Sequence, residues 1–218
     1  MSHTDAPGAL LLLSSGCPHC PAVLQNLSQL LKQGRIGRLE AVNIAEHPET
    51  AQEIGTRTVP WTRIGRFELE GLVSLGELET WIDMTFREEG AAYYLSHLLK
   101  TQHAPQAAIW IERNPDTVAD LIGLLESPDT PIVVRIGVGV VAEELQGSSV
   151  WQSALNHLDR LARSADAALR ADAAHYLGLT HSSAALESLQ RMLEDENPDV
   201  REIASDSLAL LDEKMTND

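Results

Sequence analysis

Apolar positions in the first 87 residues follow two different periods. The run from Ala9 to Leu13 is continuously apolar and predicts a buried strand, whereas the apolar residues between Val23 and Leu31 recur at helical spacing. Further along, the pattern predicts a strand over 39–44, a short helix over 49–54, a hairpin of strands 61–64 and 67–69, and a helix opened by Ser74. The predicted order is therefore β-α-β-α-β-β-α.

Residues 88–218 show helical spacing throughout and no hairpin pattern. They hold 19 leucines and 19 alanines but only five aromatic residues, a composition that favours helix packing on helix. The sequence therefore predicts two domains, 1–87 and 88–218. The predicted helices of the second domain cover 90–102, 105–113, 116–126, 131–146, 150–163, 166–179, 183–194 and 198–212.

A local pattern repeats within the second domain. An arginine is followed by alanine three positions later and leucine seven positions later at Arg170 and again at Arg201, and Arg135 begins a weaker copy. The arginines are 35 and 31 residues apart, which is in the range of helix-pair solenoids. We expect all three to be structural, bridging acids or carbonyls of a neighbouring repeat. Gly137 and Gly139 lower the helix propensity of the first copy, where a helix is still expected.

Charge and hydropathy exclude several kinds of partner. The chain has 16 Lys and Arg against 32 Asp and Glu, a formal net charge of −16. Such a field repels polyanions, so we expect neither nucleic-acid binding nor attachment to an anionic membrane. No apolar run approaches the roughly 18 residues that span a bilayer. Because no Lys or Arg precedes Lys32, no signal-peptide pattern is present, and we expect a cytoplasmic protein.

Cys17-Pro18-His19-Cys20 is the motif that carries chemistry, because it follows a predicted strand and opens a predicted helix. Three residues apart on a first helical turn, both thiols would lie on the same side and could form a disulfide. The helix N-terminus and a protonated His19 favour a thiolate, and cysteines in such settings have pKa values of about 3.5–7.5. We predict that Cys17 attacks a substrate disulfide and that Cys20 resolves the mixed disulfide.

The alternatives for this cysteine pair are a metal site and an inert pair. A zinc site needs two further ligands at suitable spacing, and the sequence holds no second cysteine pair. We therefore predict a redox-active dithiol with no metal ligands and no bound cofactor.

A second motif, Thr58-Val59-Pro60, directly precedes the predicted strand 61–64. With this motif and the cysteine pair, residues 9–86 resemble the thioredoxin superfamily, in particular its small glutaredoxin-like members. The resemblance implies that Pro60 is a cis proline facing the dithiol and that the backbone of Val59 binds the substrate's cysteine segment. A cis X-Pro bond costs only about 0.5–1 kcal/mol relative to trans.

The expected substrate-binding residues are Pro18, Val59, Pro60 and Trp61. For Trp61, which follows the proline, a place in the substrate groove and a packing role are equally open.

The helical half resembles short bacterial HEAT-like repeats over about 115–212, on the strength of Asp199-Val200-Arg201 followed by spaced alanines and leucines. The resemblance implies a solenoid that binds another protein. Its acidic residues form either a surface that steers a basic partner or an ordinary solvated face.

The expected fold is an α/β thioredoxin-like domain (βαβαββα) followed by an all-α HEAT-like helical repeat domain. The expected function is exchange of a Cys17–Cys20 disulfide with a protein cysteine pair, with a separate reductase as electron donor and a protein partner on the helical domain. Two alternatives stay open. One is an interaction protein in which the first domain only docks; the other is a switch in which the disulfide gates partner binding.

Overall fold

A computed structural model describes residues 6–217 of the chain, and side chains as far as residue 214. These residues form two compact units that divide between Gly90 and Ala91, here called the α/β unit and the helical unit. The predicted order of strands and helices in the α/β unit is confirmed. Its elements are β1 (Gly8–Leu13), α1 (Cys20–Lys32), β2 (Arg38–Asn43), α2 (Pro48–Ile54), β3 (Trp61–Ile64), β4 (Phe67–Glu70) and α3 (Leu75–Met84).

The strands of the α/β unit form one mixed sheet in the order β2-β1-β3-β4. β1 pairs parallel to β2 and antiparallel to β3, and β3 pairs antiparallel to β4. Side chains on both faces of β1 are covered, because Leu11 and Leu12 point to opposite faces of the sheet and both are fully buried. This explains why the run from Ala9 to Leu13 is continuously apolar rather than alternating.

Three short signals in the sequence fix the ends of these elements. Gly55 ends α2 with a left-handed backbone at φ +82°, and Gly65 turns the β3–β4 hairpin at φ +57°. Ser74 caps α3 by accepting a hydrogen bond from the Glu77 amide while the Glu77 carboxylate accepts one from the Ser74 amide. The predicted capping box is therefore present.

The helical unit contains nine α-helices in its described residues, close to the predicted segments. The predicted helix 150–163 is wrong in one respect, because a turn at Ser153 and Ala154 divides it in two. The helices are α4 (Gly90–Lys100), α5 (Ala104–Arg113), α6 (Val118–Glu126), α7 (Ile132–Glu144), α8 (Ser149–Gln152), α9 (Leu155–Leu161), α10 (Ala167–Gly178), α11 (Leu186–Met192) and α12 (Pro198–Asn217).

Close backbone approach in the helical unit depends on two helical glycines. A Cβ on Gly137 in α7 would lie 2.9 Å from the Leu99 side chain, and a Cβ on Gly178 in α10 would lie 2.8 Å from the Cβ of Ser207. The glycine that weakens the helix propensity of α7 thus allows that helix to pack closely. The expected helix forms because tertiary packing outweighs a propensity cost of about 1 kcal/mol.

Aromatic side chains complete the core of the helical unit. Trp151 is fully buried, its indole N–H donates to the Tyr176 carbonyl at 3.1 Å, and the two rings meet edge to face. Among the described residues, no helix is both long enough and apolar enough to cross a membrane.

Candidate functional site

The cysteine pair lies in the loop and helix start that follow β1. Cys17 and Cys20 form a disulfide with their Cα atoms 5.5 Å apart. The expectation that both cysteines lie on the first helical turn is wrong for Cys17, because α1 begins at Cys20 with His19 as its N-cap. Pro18 disfavours helical backbone at the residue before it, which keeps Cys17 outside the helix.

The two sulfur-bearing residues differ in exposure. Cys20 is only 3% exposed, whereas Cys17 is partly exposed, and Pro18 and His19 are exposed. The backbone amide of Cys20 donates a hydrogen bond to the Cys17 sulfur at 3.1 Å. This amide is one of the helix N-terminal groups that have no partner within the helix. The accessible sulfur is therefore also the one that receives a helix-terminal donor.

The register of the sheet brings Val59 and Pro60 to the same edge as the disulfide. Leu12, next to the carboxyl end of β1, pairs with Trp61 at the start of β3. Because the two strands are antiparallel, the loop after β1 and the segment before β3 leave the sheet at one edge. The Val59–Pro60 peptide is cis, the geometry that the family resemblance implies, and the Pro60 carbonyl accepts a hydrogen bond from the Gly71 amide at 2.8 Å.

Trp61 is buried, which favours a packing role over a place in the substrate groove. Its side chain is 2% exposed and packs in a cluster with Leu12 and Ala51, against which Val59 also packs. A β3 residue paired with central β1 points its side chain into a sheet face that the core covers. The expectation of an indole in the substrate groove therefore does not hold.

A groove of about 530 Å³, which the sequence pattern does not predict, opens at the same edge of the sheet. Its residues come from the end of β2, from α2 and from the segment just before Val59. They are Ile44, Pro48, Ala51, Gln52, Gly55, Thr56 and Arg57. The sequence signal for this groove is the Gly55 turn. The two polar residues after it, Thr56 and Arg57, directly precede the Thr58-Val59-Pro60 motif.

The described residues contain no group of three or more His, Cys, Asp or Glu side chains arranged to hold a metal ion.

In the helical unit, the three repeated arginines bond to the turns that precede their own helices. Arg135 donates to the Ser127 carbonyl at 3.0 Å, Arg170 to the carbonyl of Ser164, and Arg201 to the carbonyl of Asp195. Arg170, which is 8% exposed, also holds the Asp195 carboxylate in a two-pronged pair at 2.7 and 2.9 Å. Arg170 thereby links its own turn to the turn of the next repeat, as the sequence predicts, whereas the hydrogen bonds of Arg135 and Arg201 go to their own turns.

Asp159 on α9 is the centre of a polar pocket of about 280 Å³ between α9 and α11. Its carboxylate accepts hydrogen bonds from the Ser188 hydroxyl and from Arg191 and Arg163. Burial raises the pKa of Asp159, but these three hydrogen bonds outweigh burial and hold the pKa at about 2. The carboxylate is satisfied by its own neighbours, which indicates a structural link between helices.

Two family models match separate parts of the chain. Residues 9–83 match a thioredoxin domain, and residues 152–216 match HEAT repeats. No curated protein matches the chain at a significant level. The first match covers the sheet except Gly8, together with the cysteine pair and the cis proline, and the second covers the repeats that contain Arg170 and Arg201. The chain therefore consists of a thioredoxin-like α/β domain with a Cys-x-x-Cys motif, followed by an all-helical region that matches HEAT repeats.

Proposed function

We propose that this chain is a thiol–disulfide oxidoreductase whose helical region, from residue 88 onward, binds a protein partner. The observation that carries the proposal is the asymmetry of the cysteine pair. Cys17 is accessible and receives the Cys20 amide, while Cys20 is buried behind it. In the reduced protein the same amide would face a Cys17 thiolate and stabilise its negative charge. His19, exposed beside it in the N-cap position, would add to this effect when protonated.

The reaction is thiol–disulfide exchange; in the reducing direction it moves two electrons from the dithiol to a protein disulfide. The Cys17 thiolate attacks one sulfur of the substrate disulfide, the substrate S–S bond breaks, and the other substrate sulfur leaves as a thiolate. Cys20, once deprotonated, then attacks the Cys17 sulfur of the mixed disulfide. This step forms the Cys17–Cys20 disulfide and releases the second substrate thiolate. A separate reductase supplies two electrons to restore the dithiol, so no bound cofactor is needed.

Substrate binding is assigned to the loops at the same sheet edge. The substrate segment that contains the reacting cysteine would lie between two parts of this protein. Pro18, beside the attacking sulfur, would contact it on one side, and the cis Val59–Pro60 segment would contact it on the other. Val59 would form backbone hydrogen bonds with this substrate segment. Trp61 contributes by packing beneath this segment, not by contact with substrate. The proposed compartment is the cytoplasm, where thioredoxin and glutathione systems keep such dithiols reduced.

The test equilibrates the purified chain in glutathione and dithiothreitol redox buffers, followed by thiol trapping and mass spectrometry. We expect a reversible two-electron couple; a potential near about −270 mV indicates a reductant and one near about −120 mV an oxidant. In parallel, the reduced Cys20→Ser variant is mixed with a disulfide-bonded peptide. It should accumulate a mixed disulfide on Cys17, whereas Cys17→Ser should form none. A pair that does not cycle, or an adduct that forms on Cys20 in preference to Cys17, would contradict the proposal.

A further inference from the structure

α7 is apolar on two opposite faces. One face packs in the core and consists of Val134, Gly137, Val138, Val141 and Ala142. The other presents Ile132, Ile136 and Val140, which are 71%, 62% and 37% exposed. These three residues are spaced four apart and therefore line up along the helix; they are called the α7 stripe below.

The exposure of the α7 stripe is unusual within this molecule. Ile132 and Ile136 are the two most exposed large hydrophobic residues in the described part of the chain. At 1.5 Å per residue the stripe extends about 12 Å, or slightly more than two helical turns. An amphipathic surface helix ordinarily turns its polar side outward, and one that is apolar all round is ordinarily covered. Aligned exposed apolar side chains of this kind mark interaction surfaces.

Carboxylates border one end of the α7 stripe. The Tyr176 hydroxyl of α10 lies 3.5 Å from the position that a Cβ on Gly139 would occupy. Burial raises the pKa of Tyr176, and the charges of Asp172 and Glu143 raise it further. Glu143 is exposed and follows Val140 by one helical turn. α7 also carries one cation, Arg135, whose guanidinium donates a hydrogen bond to the backbone carbonyl of Ser127.

The net charge of the helical half indicates which kind of partner fits. Residues 88–218 carry nine Lys and Arg against 22 Asp and Glu, a net charge of −13. A second copy of this chain would bring the same negative charge to the interface and be repelled. A partner with Lys and Arg around an apolar centre would instead be attracted and steered toward the surface.

We propose that the α7 stripe docks an amphipathic helix of a partner protein, with the partner's apolar residues on Ile132, Ile136 and Val140 and its flanking Lys and Arg residues facing the carboxylates. An amphipathic helix carries its apolar residues at i, i+3, i+4 and i+7 on one face, so such a face can pack lengthwise along the α7 stripe. The proposal rests on the part of the proposed function that assigns partner binding to the helical region. It does not depend on the cysteine chemistry.

The probe for this surface is a fluorescein-labelled, cysteine-free 18-residue peptide of leucine and lysine, with its leucines on one helical face. Fluorescence anisotropy with the full-length chain should give saturable one-to-one binding. The double substitution Ile132→Ser and Ile136→Ser should weaken binding at least about tenfold, because anchors at the centre of a contact dominate its affinity. Leu193→Ser is the matched control, since Leu193 is 40% exposed in the same unit, and it should leave binding unchanged.

Four outcomes would overturn the proposal. They are no saturable binding, equal binding by a scrambled peptide of the same composition, equal binding by a counterpart with glutamate in place of lysine, and equal loss in Leu193→Ser. Sedimentation that shows a dimer of the wild type, and a monomer of the Ile136→Ser variant, would assign the surface to a second copy instead. Circular dichroism checks that each variant is folded. The disulfide-exchange assay on the same variants separates failure of this surface from failure of the dithiol chemistry.

Discussion

The α/β unit and the helical unit distribute their candidate functions in opposite ways. In the α/β unit, everything proposed to react or to touch substrate lies in two short segments at one sheet edge, around Cys17 and around Pro60. In the helical unit, the same type of contact returns in successive repeats, as with Arg135, Arg170 and Arg201. The first arrangement concentrates the proposed chemistry in a few atoms, and the second repeats a structural contact along the unit.

This difference separates the effects of substitution in the two units. At the sheet edge, Cys17 contributes a reactive sulfur but little to the core, which is formed by residues such as Leu11 and Leu12. A change there should remove chemistry and leave the fold. In the helical unit, Arg170 contributes to how repeats stack, so a change there should reduce stability and leave the dithiol chemistry. The predictions below test this separation.

The largest expected effect is that of Cys17→Ser. The rate of disulfide exchange should fall at least about a thousandfold, because the thiolate that attacks is absent and a serine hydroxyl does not replace it. Thermal unfolding of the helical unit should not change. Both proteins are compared after reduction with dithiothreitol, so that loss of the disulfide crosslink does not confuse the result. If Cys17→Ser retained disulfide exchange, Cys17 would not be the attacking residue. If it lowered the Tm of the helical unit, the effects of substitution in the two units would not be separate.

Arg170→Met should give the next largest effect, this time on stability. It leaves the Asp195 carboxylate, whose side chain is 11% exposed, without the guanidinium that holds it. We expect the Tm of the helical unit to fall by about 5 °C or more. Arg201→Met is the matched control, because Arg201 is exposed and its hydrogen bonds go to carbonyls of its own turn; its Tm should fall by about 2 °C or less.

Circular dichroism melts, with hydrogen exchange to assign the change to the helical unit, measure both effects. Equal losses in the two arginine variants would show that the link between repeats adds nothing beyond the contact within each turn. A changed Cys17–Cys20 potential in Arg170→Met would show that the two units are not energetically independent.

Local signals made most of the α/β unit predictable from the sequence. The buried run from Ala9 to Leu13, the glycines at tight turns and the Ser74 cap each act within a few residues, and the structure has all of them. The start of α1 was predicted wrongly because Cys17 and Cys20 were both assigned to the helix. Pro18 holds Cys17 in the loop, a constraint that the helical spacing of later residues does not reveal.

Burial and surface position were harder to predict than secondary structure. Hydrophobic spacing marks a residue as apolar but does not say whether its face meets the core, so Trp61 could be assigned either to a groove or to packing. For the same reason Ile132, Ile136 and Val140 read as ordinary helix residues, and only the structure shows that they are exposed. The turn within 150–163 was missed because both flanking segments have helical spacing.

Ser74→Ala tests a local signal in the α/β unit, with a smaller expected effect. It removes the hydroxyl that accepts from the Glu77 amide at 3.3 Å, and should cost about 1 kcal/mol of unfolding free energy. Ser74→Thr keeps an accepting hydroxyl and should lose much less. Urea unfolding followed by the fluorescence of Trp61 and Trp81, with Trp110 and Trp151 of the helical unit replaced by Phe in the background, measures the difference. Equal losses of unfolding free energy in Ser74→Ala and Ser74→Thr would mean that the accepting hydroxyl at position 74 does not stabilise the fold.

The smallest expected effect concerns acid sensitivity of the helical unit. Because the folded-state pKa of Asp159 is about 2, below its ordinary value of 3.8, the ionised carboxylate stabilises the fold above about pH 4. That contribution is lost as the pH falls through the folded-state value. The Asp159 side chain is 37% exposed, so solvent screening limits the contribution to less than about 1 kcal/mol.

Asp159→Asn removes the titrating group while keeping a similar shape. The variant should be slightly less stable than the wild type at pH 7, and the difference should shrink as the pH falls toward about 2, where about half of the wild-type carboxyl is protonated. Carboxyl-carbon NMR gives the pKa directly, and Ser188→Ala should raise it because one hydrogen bond to the carboxylate is lost. A wild-type midpoint near 3.8 would mean that Asp159 does not link α9 to α11. In that case the Arg170–Asp195 pair, and not Asp159, would be the contact between repeats that distinguishes the helical unit from the α/β unit.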